Sequence, residues 1–137
     1  MEKSCGIILF HLEDFLLIQH SVKSNKDEGH WDFPKGHVED NETELETAIR
    51  ELEEETGIAD FQLVDNFKHR ITYNIQNDNA VISKEVIFFL AKSNTKVVTL
   101  SSEHQDYSWL SFNSAYDKLT YTNAKETLVK VKTFLEK

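Results

Sequence analysis

The sequence predicts an α/β fold, a layered sandwich of helices around a mixed central sheet. Three observations carry this. Two pairs of strand-like segments flank a strongly amphipathic helix, a second helix closes the chain, and residues 86–90 (Val-Ile-Phe-Phe-Leu) are apolar without alternation. A run of that kind fits a strand covered on both faces, which requires a layer on each side of the sheet.

Segments 4–11 and 15–20 read as strands joined by a tight turn at Glu13-Asp14, followed by a polar loop over 21–30. Helix 42–56 repeats Leu45, Ala48, Ile49, Leu52 and Thr56 at 3/4 spacing, and Gly57 stands where a left-handed cap belongs. Asn41 and Thr43 are both candidate N-caps, each with a glutamate three residues on. Segments 61–75 and 81–92 form a second strand pair, separated by Asn77-Asp78-Asn79. The last helix, about 122–136, places Ala124, Leu128, Val131 and Leu135 on one stripe.

A chain of 137 residues without repeats, low-complexity tracts or a Pro/Gly/Ser linker is expected to form one domain over 1–137. No apolar stretch is long enough to span a bilayer, and the acidic, weakly apolar N-terminus lacks the form of a secretory signal. A single cysteine, Cys5, excludes an intrachain disulfide, so a cytoplasmic location is expected. Oligomeric state is not legible, and a monomer is favoured.

The net charge of −9 is concentrated. Residues 39–55 hold nine acids against Arg50 alone, and the remainder is nearly neutral. The acidic total argues against broad nucleic-acid binding. Within the helix, Glu51, Glu54 and Glu55 share one side of the last turns, where they repel and oppose the helix dipole. A solvated face is one reading of such a helix. Function is the other, since a fold selected for stability alone has little reason to retain several unfavourable terms of about 0.3–1 kcal/mol each, and three carboxylates at this spacing suit Mg²⁺ or Mn²⁺.

The spacing around that helix is more specific. Gly36, five residues, Glu42, seven residues, then Arg50-Glu51-Leu52-Glu53-Glu54-Glu55-Thr56-Gly57-Ile58 resembles the Nudix box at every fixed position. That resemblance implies a Nudix-type α/β/α sandwich and hydrolysis, with divalent metal, of a nucleoside diphosphate linked to another group. By position it makes Glu51, Glu54 and Glu55 metal ligands, joined by the Gly36 carbonyl, with Arg50 and Glu42 holding loop and helix in register.

The flanking Trp31-Asp32-Phe33-Pro34-Lys35-Gly36-His37-Val38-Glu39, Lys84, and Ser102-Glu103-His104-Gln105-Asp106-Tyr107-Ser108-Trp109-Leu110 are similar to the asymmetrical diadenosine tetraphosphate hydrolases within that family. A dinucleoside polyphosphate carries about four negative charges on its bridge, so cations must share the site with the glutamates; the resemblance assigns this to Lys35, His37 and Lys84. It also makes Glu103 a ligand or the base that activates water, with Glu54 the alternative base. Adenine needs a stacking partner, and the resemblance makes Tyr73 and Tyr121 the candidates. His11, His20, His30 and His69 lack ligand spacing and read as surface or loop residues. Trp31, Phe33 and Trp109 read as core or pocket wall. The expected reaction converts diadenosine tetraphosphate to ATP and AMP. An RNA 5′-end pyrophosphohydrolase and a non-catalytic nucleotide sensor are the alternatives.

Overall fold

The computed structural model describes residues 2–22 and 29–137, so most of the polar loop expected at 21–30 lies outside the described residues. The first strand pair folds as β1 (Glu2–His11) and β2 (Asp14–His20). Their turn falls at Leu12-Glu13, one residue earlier than expected, with Leu12 at φ 52°. The turn dipeptide did not set this register. Pairing Phe10 with Phe15 puts both rings, 6.2 Å apart, against the same core cluster, and His11 must then face Asp14.

The second pair is β5 (Phe61–Asn77) and β6 (Ala80–Ser93), longer than expected because Asn77 pairs with Ala80 and only Asp78-Asn79 turns. Short elements invisible to periodicity lie between and after them: β3 (Trp31–Asp32), β4 (Lys35–His37), β7 (His104–Leu110) and α2 (Phe112–Lys118).

The sheet runs β3-β2-β1-β6-β5, with β1 parallel to β6 and the remaining pairings antiparallel. One edge of β1 is shared. Near its end it pairs with β2 at Phe10 and His11, while near its start it pairs with β4 at Ser4, Cys5 and Gly6. Between these points β2 leaves β1 and pairs with β7 and β3. The sheet therefore splits along that edge, and β4 enters the split.

Alternation along β1, β2 and β6 sorts the core into two clusters. Cys5, Ile7, Leu9, Leu16, Ile18, Ile87 and Ala91 meet Ala48 and Leu52 of helix α1 (Glu44–Thr56) on one face. Ile8, Leu17, Val86, Phe88 and Leu90 meet Ala115 of α2 and Ala124, Leu128 and Val131 of helix α3 (Thr122–Leu135) on the other. Residues 86–90 thus lie in a doubly covered strand of an α/β/α sandwich.

Of the two candidate caps, Thr43 takes the role in a full capping box with Glu46, so α1 begins at Glu44 and not at 42. Gly57 closes it at φ 73°, its N–H donating to the Glu53 carbonyl at 2.8 Å. In α3 the expected stripe breaks at its end. Leu135 is exposed, and Phe134 packs edge-on to Phe67 in its place. No helix among the described residues is long and apolar enough to cross a membrane.

Candidate active site

The split edge of β1 brings β4 against the last turns of α1. Gly36 lets Glu51 take this position: a Cβ there would lie 2.0 Å from the Glu51 carboxyl carbon and displace it. Arg50 fixes the rest. Its Nε and Nη2 donate to the two oxygens of Glu42 at 2.6 and 3.0 Å, and Nη2 also donates to the His37 carbonyl at 3.0 Å. Nη1 reaches Glu51 at 2.8 Å and Glu54 at 3.2 Å. One guanidinium thus ties the loop before the helix to the acidic turn and screens the repulsion there. Its effect on Glu42 is large: the bond to Arg50, then the backbone of Glu39, holds the Glu42 carboxyl at a pKa of about 2, while Arg50 is raised above its usual value.

Glu55 has a different environment. It is only 6% exposed, and its Oε1 accepts from the Lys35 backbone N–H at 3.0 Å. Burial first, and the nearby Glu51 charge second, push its pKa up to about 8. Burial also raises Glu51 against the opposing pull of Arg50. Two desolvated carboxylates facing one cavity are the condition that a hard divalent cation relieves.

That cavity, of about 460 Å³, is lined by Lys35, Gly36, His37, Glu51, Glu55 and Glu103 among others. The oxygen donors and the glycine cradle fit a hard divalent cation. Among the described residues no three acidic, histidine or cysteine side chains yet close on one point, because Glu51 and Glu54 both turn to Arg50.

A second cavity of about 460 Å³ lies alongside, with walls that include Ile71, Tyr73, Ile75, Phe88 and Tyr121. Lys35, Tyr73, Lys84 and Val86 line both. Lys35 is held by Asp32, Nζ to Oδ2 at 3.2 Å, and although burial works to lower its pKa, the Asp32 charge leaves it raised and the ammonium intact. Lys84 Nζ stands 3.6 Å from Glu2.

The family profile described as NUDIX domain matches residues 2–131. The chain belongs to the Nudix family. It is 37% identical to the asymmetrical bis(5′-nucleosyl)-tetraphosphatase of Rattus norvegicus, over 97% of this chain and 95% of that protein. It is 32% identical to the Caenorhabditis elegans protein of the same name, over 97% and 96%. A crystal structure of a C. elegans Ap4A hydrolase binary complex superposes with a TM-score of 0.85 at 31% identity, covering 99% of this chain and 98% of that one.

This Nudix site gathers all but one of the side chains the sequence singled out. Lys35, His37, Glu51, Glu55, Tyr73, Lys84, Glu103 and Tyr121 line one or both cavities, with Gly36, and Arg50 braces them from behind. Glu54 stands apart at the rim, exposed and bonded to Arg50. Two histidines read as surface or loop residues belong here instead: His20 lines the acidic cavity and His30 the apolar one, their rings stacked 3.9 Å apart. The pairing of His20 N–H with the His30 carbonyl at 2.9 Å brings them together, a contact with no sequence signature. His104 was missed as well, though it follows Glu103 directly. Phe33 is fully buried, while Trp31 and Trp109 are partly buried against the two clusters.

Proposed function

We propose that this Nudix hydrolase cleaves dinucleoside polyphosphates, diadenosine tetraphosphate above all, to ATP and AMP. The observation that carries the reading is the pairing of two cavities of equal volume, one acidic and one walled by apolar and aromatic side chains, joined at Lys35 and Lys84. An adenine fits the second, with Tyr73 and Tyr121 as stacking surfaces. The phosphate bridge then runs past the two lysines, with His37 beyond, toward the glutamates. The relatives' names support the same substrate.

Glu51 and Glu55, with the Gly36 carbonyl, would hold Mg²⁺ or Mn²⁺; Glu54 joins them only by leaving Arg50, and of its two roles Glu103 takes that of base. Such a cation would supply charge neutralisation at phosphate oxygens and Lewis-acid activation of water. Glu103 takes the proton from the attacking water, since it lines the cavity and Glu54 does not. The water oxygen bonds to the phosphorus beside one adenosine, the bond from that phosphorus to the bridging oxygen breaks, and ATP leaves. Arg50 acts from behind by fixing Glu51. We read the enzyme as a cytoplasmic monomer; the lone, buried Cys5 supports a reducing compartment.

Turnover of diadenosine tetraphosphate and of a triphosphorylated RNA, measured side by side in heavy-oxygen water, tests the proposal. Faster turnover of the dinucleotide, with label in AMP and none in ATP, is expected. Preference for RNA, two ADP products, or full activity in excess chelator overturns it.

A further inference from the structure

Behind Glu55 runs a hydrogen-bond chain that the reaction above leaves unused. Ser101 Oγ lies 2.9 Å from His104 Nδ1, and the Glu103 backbone N–H points at the same Oγ from 3.4 Å. With the backbone N–H on one of its lone pairs, the hydroxyl is free to donate its proton to Nδ1, and an imidazole that accepts at Nδ1 carries its proton on Nε2. That Nε2 is buried, makes no hydrogen bond among the described residues, and lies 4.0 Å from Glu55 Oε2. The ring is held in place, its side chain fully buried and the His20 ring tilted against it at 4.6 Å. The same turn is stitched to the end of α1, where the Ser101 N–H faces the Glu55 carbonyl at 3.4 Å.

We propose that His104 is a positioning residue for Glu55: Ser101 fixes its Nε2–H tautomer, and that N–H sets the plane in which the Glu55 carboxylate meets a divalent cation. This rests on Glu55 being a metal ligand. With the Lys35 N–H on Oε1 and the His104 Nε2 turned toward Oε2 across 4.0 Å, each oxygen keeps a lone pair for the cation. Glu103 and His104 are neighbours in sequence, so one turn delivers both a cavity carboxylate and the donor that orients another. Donors behind a metal-binding group characteristically change affinity or activity 10–100-fold when removed.

The test begins on the metal-free chain with nitrogen-15 NMR of the imidazoles, where His104 should carry its proton on Nε2 and Ser101→Ala should loosen that preference. Mn²⁺ affinity, read by electron paramagnetic resonance, should fall about 10–100-fold in His104→Leu. It should recover most of that loss in His104→Gln, whose amide N–H reaches the position of Nε2. Turnover should follow through kcat, with KM little changed. A proton on Nδ1, or His104→Leu with parental Mn²⁺ affinity, overturns the proposal. If His104→Leu does not fold, equal Mn²⁺ affinity in Ser101→Ala and the parent, with the tautomer loosened, does the same. A parent that binds no Mn²⁺ refutes the metal assignment itself, while the imidazole spectrum still reports the tautomer separately.

Discussion

Replacing Gly36 by alanine separates the structural and chemical duties of Glu51. The backbone at Gly36 is not in the left-handed region, so alanine is tolerated by the strand itself; the conflict lies in the new methyl, 2.0–2.4 Å from the atoms of the Glu51 carboxylate. That carboxylate is the far end of a flexible side chain and will swing aside. Doing so forfeits its 2.8 Å bond to Arg50 while the Arg50–Glu42 fork survives. A charge-assisted bond contributes about 1.5–3 kcal/mol, part of which water restores, so a loss of roughly 1–2 kcal/mol is expected. For this length the melting temperature falls by roughly 3–8 °C. Activity suffers more, because a displacement of about 1 Å in a positioned group costs on the order of 10²-fold, or about 2.7 kcal/mol. The assay pairs thermal melts, with and without Mg²⁺, with kcat/KM on diadenosine tetraphosphate. In the parent, metal at ten times its Kd adds about 1.4 kcal/mol of stability; in Gly36→Ala most of this gain should vanish. Parental kcat/KM together with the full Mg²⁺ shift would refute the packing of Glu51 on Gly36 as a functional contact.

Other expectations follow from neighbouring contacts. With its folded pKa raised to about 8 above an ordinary unfolded value, Glu55 contributes stability that is full below about pH 4.5 and is lost as pH rises through 8. Denaturant titrations of the metal-free chain should show that decline, and Glu55→Gln should flatten it. Glu42 has the opposite sign: its pKa of about 2 supplies stability that disappears only below about pH 4.5, a window that Glu42→Gln should remove. Arg50→Lys keeps the charge but loses the fork to Glu42 and the bond to the His37 carbonyl, which should cost about 2 kcal/mol in urea unfolding. Tyr121→Ala should raise KM, with a loss of about 1–3 kcal/mol in kcat/KM and little change in kcat; unchanged KM would remove Tyr121 from the base slot.

What could be read beforehand follows the length scale of the signals. The helix from Glu44 to Thr56 advertises itself through 3/4 spacing, a capping box and a left-handed glycine, and its acidic turn through charge that no other local feature explains. Residues 86–90 were legible because a short, β-branched and aromatic run that is apolar without alternation fits a doubly covered strand. Strands of two or three residues such as β3 and β4 carry no period, and β7 alternates too weakly to register. The first turn was misplaced by one residue because a cross-strand aromatic pair outweighs turn composition. At the site, spacing found the carboxylates but not their environment. That Glu55 is buried while Glu54 stays at the rim depends on which side of α1 faces β4, and the meeting of His20, His30 and His104 depends on pairings between β2, β7 and the segment before β3.

The division of β1's edge has an engineering consequence. Apart from Lys84 on β6, everything that would handle phosphorus sits on the segment from Lys35 to Gly57 and the turn at Glu103, whereas Ile71, Ile75, Tyr121 and Asn123 line only the apolar cavity and belong to other elements. A saturation library confined to those four positions would explore which nucleoside is accepted without disturbing the carboxylates. A library at Lys35, Tyr73 or Lys84 would change both properties at once, since these side chains are shared between the cavities. A scaffold divided in this way is suited to acquiring new leaving groups by selection, one wall at a time.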